Sequence, residues 1–131
     1  MAIVNTIDEK DKIIYTTCVG VMEEKDFDDY LVRIWGHDKY YYFNELFDTV
    51  SADWSLFNFS YLLDFARAAA TLNTLNPNTR LAWVVLEGKQ KELTDFYKAA
   101  KSLTKVKSRE LQSFESREDA LLWLKQDRVR W

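Results

Sequence analysis

The chain has 131 residues, 47% of them hydrophobic and 15% aromatic, which is enough for one well-packed core and too few for two. Three glycines, one proline and one cysteine leave no composition for a linker, a low-complexity tail or an internal disulfide, so Cys18 is read as a small buried hydrophobe. A net charge of −3, a start without a basic-then-apolar leader and no apolar run longer than Leu81 to Leu86 argue against nucleic acid and a membrane span, and predict a soluble cytoplasmic protein with residues 1–131 as one domain.

Ile3 to Ile7 and Lys12 to Val19 read as a hairpin about the polar turn Asp8-Glu9-Lys10-Asp11, its second strand supported by β-branched residues and ended by Gly20. From Glu23 to Trp35, Phe27, Tyr30, Leu31, Ile34 and Trp35 recur at helical spacing, with acids in the first turn and Gly36 closing the helix. Tyr41 to Asp48 reads as an aromatic strand, followed by a polar connection from Thr49 to Asp53. Trp54 to Leu72, wound as a helix, confines Ser60, Asp64, Arg67 and Thr71 to a narrow polar wedge. It then has two apolar sides, one with Trp54, Phe57, Tyr61, Phe65, Ala68 and Leu72, the other with Phe59, Leu62, Leu63, Ala66 and Ala70.

Thr74 to Thr79, with Asn76-Pro77-Asn78, reads as a turn, and Leu81 to Leu86 as a strand apolar on both faces, which belongs inside a sheet. A third helix starts near Lys89 with Leu93, Phe96, Tyr97 and Ala100 on one side. The polar strand Arg109 to Phe114 suits a sheet edge, and Ser116-Arg117-Glu118-Asp119 caps a last helix anchored by Ala120, Leu121, Trp123 and Leu124. The order ββαβαβαβα makes this an α/β fold: a mixed sheet of about five strands with helices mainly on one face.

Charge is uneven along the chain. Residues 1–66 hold 13 acids and 5 bases, whereas residues 67–131 hold 8 acids and 13 bases. Lys89, Lys91, Lys98, Lys101, Lys105, Lys107 and Arg109, interrupted by Glu92, Asp95 and Glu110, are read as a solvated helix face and a charged edge strand.

Four stretches in this order resemble the SpoIIAA-like branch of the STAS domain superfamily: Gly20 to Phe27 leading into the first helix, the strand ending at Asp48 before the Trp54 helix, Arg80 to Val85, and Phe114 to Leu124. Together they span nearly the whole chain. The resemblance implies a non-enzymatic regulatory domain. Classical members are switched by phosphorylation of a Ser in an Asp-Ser-Ser-Gly-like motif after the third strand. Here that region reads Asp48-Thr49-Val50-Ser51-Ala52-Asp53-Trp54-Ser55-Leu56, without glycine and with a bulky Trp, and Met22 replaces the Ser or Thr expected before the first helix. Ser51 and Ser55 are the nearest phosphorylation candidates, and the departures argue against such a switch. Similarity of this branch to lipid-binding CRAL-TRIO domains implies a hydrophobic ligand as a second role.

Residue chemistry points the same way. His37, the sole histidine, follows Gly36 in a helix-ending loop with no nucleophile placed to partner it, so no catalytic residue is assigned. One His and one Cys cannot build the usual metal sites, and Glu23, Glu24, Asp26, Asp28 and Asp29 read as a solvated helix face. Gly20, Gly36 and Gly88 stand alone, so there is no phosphate cradle and no cofactor is expected. Asp48 and Asp53 are read as turn and capping residues, and Tyr40 to Phe43 as strand packing. The expected function is association with a protein partner or in a homodimer, or alternatively binding of a small hydrophobic ligand. Trp54, Phe57, Tyr61 and Phe65 are the candidate ligand or interface residues.

Overall fold

The computed structural model describes residues 2–56, 60–61, 64–65, 67–68, 79–86, 94–95, 98 and 109–126. Among these residues five strands form one mixed sheet whose spatial order follows the chain: β1 (Ile3–Asp8), β2 (Ile13–Val21), β3 (Asn44–Asp53), β4 (Arg80–Val84) and β5 (Glu110–Phe114). β1 and β2 are antiparallel; the other neighbours are parallel. Asp8 shapes the hairpin turn by accepting the Asp11 N–H at 3.0 Å, and Lys12 takes a positive φ of 56° there. The apolar run at Leu81 indeed lies inside the sheet, and β5 is its edge.

Two strands extend further than their sequence suggests. Gly20 does not end β2; its φ of +79°, open to glycine at no steric cost, carries the strand to Val21. Thr49 to Asp53 is strand rather than connection, because β2 pairs with it through Ser51, Ala52 and Asp53. The register slips by one residue between Thr17 and Val19, so that Thr49 and Val50 together face Cys18 as a bulge. Conversely, Tyr41 and Tyr42 form a turn and Tyr42 is 84% exposed; only Phe43 of that aromatic run is buried, and β3 starts after it.

α1 (Glu24–Tyr30) passes directly into a π-helical turn, Leu31–Trp35, which the Gly36 N–H closes on the Leu31 carbonyl at 2.7 Å. The widened turn lets Tyr30, Leu31, Ile34 and Trp35 all be buried while the predicted acids on α1 stay at the surface. These residues pack on one face of the sheet with Phe27, Phe47, Trp54, Phe65 and Trp83. Ser60, Tyr61, Asp64, Phe65, Arg67 and Ala68 are helical, with Ser60, Asp64 and Arg67 outward as the polar wedge requires. Trp54 is not helical: it precedes a turn at Ser55 and Leu56. Phe59, Leu62, Leu63, Ala66 and Ala70, the second apolar side, lie outside the described residues, as do the Asn76-Pro77-Asn78 turn and Leu93, Phe96, Tyr97 and Ala100.

α2 (Arg117–Lys125) takes the opposite face, where Ala120 and Leu124 meet Ile13, Leu46, Ala82 and Val84. The Ser116 side chain caps it by accepting the Asp119 N–H at 3.1 Å. Its far end is held by the sheet: Arg80 donates to the Trp123 carbonyl at 2.7 Å and Asn44 to that of Leu124 at 3.3 Å, satisfying carbonyls that a helix terminus leaves without partners. No helix among the described residues is long and apolar enough to cross a membrane.

Candidate functional site

The aromatic residues singled out from the sequence lie largely inside the chain's own core. Trp54 and Phe65 are buried, each with its ring 5.6 Å from Phe27, and Phe65 also lies 6.0 Å from Trp35. Trp54 and Phe65 therefore meet α1 and its π turn, and present no outer surface while that layer is in place. Tyr61 is half-buried and ties its helix to α1, donating its hydroxyl to Asp28 Oδ1 at 2.9 Å beside the Glu24 carbonyl at 3.1 Å. Burial and the Asp28 carboxylate raise its pKa above the ordinary tyrosine value. Phe57 lies outside the described residues.

Ser51 and Ser55 are exposed. Asp53 serves as a turn residue, accepting the Ser55 N–H at 2.9 Å, and Asp48 accepts the Val50 N–H at 3.0 Å while pairing with Arg117 at 2.6 Å. His37 is an exposed loop residue whose Nδ1 accepts the Lys39 N–H at 3.2 Å. Cys18 is fully buried, and burial followed by the Glu45 charge raises its thiol pKa. Among the described residues no three His, Cys, Asp or Glu side chains gather as a metal site.

A buried polar cluster had no counterpart in the sequence reading. Glu45, fully enclosed in β3, accepts from Thr16 at 2.5 Å, from the Tyr30 hydroxyl and from Trp35 Nε1 at 2.8 Å. Arg109, also buried, brings Nη1 to 3.6 Å from Glu45 Oε1 and donates through Nη2 to the Phe43 carbonyl at 2.9 Å. Arg109 is thus a core cation, not part of a solvated charge cluster, while Lys98 donates to Ser113 at 2.7 Å. Burial, the Glu45 charge and the hydrogen bond to it push the Tyr30 phenol well above its ordinary pKa. With its donors drawn from β2 and the helical layer and its counter-charge from the residue before β5, the carboxylate works as a structural anchor, closed to substrate.

The accessible feature lies at one end of the sheet. Val19 and Val21 close β2, Leu56 follows β3 and Leu86 follows β4. All four are 47 to 60% exposed. Because these strands are parallel, the four residues lie at the same end of the sheet, where Val19 pairs with exposed Ser51 and Val21 with exposed Asp53. Carboxyl ends of parallel strands are where α/β sheets usually receive ligands. Alternation alone could not show that these valines are exposed, since they lie past the last paired residues of β1 and β2, Ile3 and Cys18.

No protein-family model matches the chain, and no curated protein sequence matches it significantly. Among solved structures it is similar to an uncharacterised DUF3478-family protein with a SpoIIAA-like fold from Shewanella loihica PV-4. The two share 20% identity over 94% of this chain and 92% of that one, with a TM-score of 0.61. The chain therefore has the SpoIIAA-like fold that its ordered strands and helices led us to expect.

Proposed function

We propose that the chain is a non-enzymatic, STAS-type interaction domain that binds a protein partner through the carboxyl end of its parallel strands. The observation that carries this reading is the presence at that end of Val19, Val21, Leu56 and Leu86, all substantially exposed. Exposed apolar side chains are ordinary when scattered; gathered at the ligand-receiving end of a sheet they form a surface with something to bury. Ser51 and Ser55 serve this surface as polar rim, not as phosphate acceptors, since the neighbouring Asp53 carboxylate repels added negative charge.

The test is a photo-crosslinking residue at Val21 in the protein's own cells, with native mass spectrometry of the purified chain. A protein adduct that is lost in a Val19→Lys/Leu86→Lys variant of unchanged melting temperature is expected. A stoichiometric small apolar molecule in the absence of any protein adduct overturns the reading in favour of a hydrophobic-ligand carrier.

A further inference from the structure

We propose that β1 is a homodimer interface, pairing with β1 of a second copy in antiparallel register about a two-fold axis near Asn5. This edge is distinct from the strand-end surface above and does not depend on it.

The backbone carries the first part of the argument. β1 ends the sheet, and the Val19 N–H donates to the Ala2 carbonyl at 2.8 Å. In an antiparallel ladder such exchanges recur every second residue, so Val4, Thr6 and Asp8 spend their amides and carbonyls on β2. Ile3, Asn5 and Ile7 then aim theirs away from the sheet, where no described strand meets them. Edge strands are normally blunted by lysine, proline or a bulge. Ile3-Val4-Asn5-Thr6-Ile7 has no charge and no proline, and its pairing with β2 runs without a shift.

The side chains select a second copy over an unrelated peptide. The segment is nearly palindromic about Asn5, with Ile at both ends and the near-isosteric Val4 and Thr6 flanking the centre. A two-fold axis there sets Ile3 against Ile7 of the second copy, Val4 against Thr6, and Asn5 against Asn5. Self-pairing also demands an edge that does not repel itself. Residues 1–66 carry a net −8 (5 bases less 13 acids), yet this strand has no ionisable side chain before Asp8. Arg33, which donates to Asn5 at 3.1 Å, arrives already neutralised by Asp29 at 2.6 Å. Val4, 51% exposed, gains cover on pairing. An isologous contact of this kind closes at two copies.

The whole chain is examined by light scattering across a dilution series and by residue-resolved hydrogen exchange. A doubled mass is expected, with the amides of Ile3, Asn5 and Ile7 protected like those of Val4 and Thr6. Val4→Lys/Thr6→Lys sets lysines opposite one another across the axis while altering only exposed positions; it should weaken association roughly tenfold or more and leave melting nearly unchanged. A single-copy mass throughout, or a dimer in which the Ile3, Asn5 and Ile7 amides exchange freely, overturns the proposal. Should the double variant fail to fold, exchange on the unmodified chain decides alone.

Discussion

Glu45 lies between buried Phe47 on its own strand and buried Phe43 just before it, in a position where an apolar side chain would bury without cost. A carboxylate is tolerated there because Thr16, Tyr30 and Trp35 donate to it and Arg109 sets a counter-charge beside it. Glu45→Ala leaves the buried Arg109 without its counter-charge and should lower unfolding stability by about 3 to 5 kcal/mol, measured by urea denaturation. Tyr30→Phe, which removes one hydrogen bond and keeps the ring, should cost only about 1 to 2 kcal/mol in the same assay. None of this was legible in the sequence. The partners are separated by up to 64 positions (109 − 45), and no local pattern links residues that meet only once the sheet is assembled. Cys18, by contrast, could be assigned a buried role from its type alone.

At the scale of elements, legibility followed periodicity. The doubly apolar Leu81 run and the Ser116 cap were found where pattern placed them, because burial on two faces and a capping hydroxyl each leave a local signature. The strand read from Tyr41 to Asp48 holds from Asn44 onward, and only its start failed, for the opposite reason. Tyrosine favours strands in general, but the turn at Tyr41 and Tyr42 is set by its neighbours. Thr49 to Asp53 was misread because its polar residues resemble a loop, while its extension is imposed by pairing with β2 alone. The cap offers a direct check. Ser116→Ala should cost about 1 kcal/mol, read as a lower midpoint in thermal or urea unfolding, and Ser116→Asp should largely restore it.

For the whole molecule, Tyr30 and Tyr61 determine how the fold meets alkali. Both phenols have folded-state pKa values raised by burial and neighbouring carboxylates, so folding favours their protonated forms. Their contribution is fully present below about pH 10, the ordinary tyrosine value, and is lost as pH rises from there toward the raised folded values. Tyrosinate absorbance should accordingly show Tyr30 and Tyr61 resisting ionisation until the protein unfolds. Ionisation of every tyrosine with the circular dichroism intact would contradict this.

The agreement between spatial and chain order of the strands has a further consequence for biosynthesis. A chain emerging from the ribosome can add β2 to β1 and β3 to β2 as each arrives, with no strand inserted afterwards between two others. Glu45 is made early in that sequence, whereas Arg109, which neutralises it, and α2, which seals the second face, follow only after β4. The nascent sheet must therefore wait, with a carboxylate it cannot yet afford to enclose, and locks only once the segment from Arg109 to Lys125 has been made.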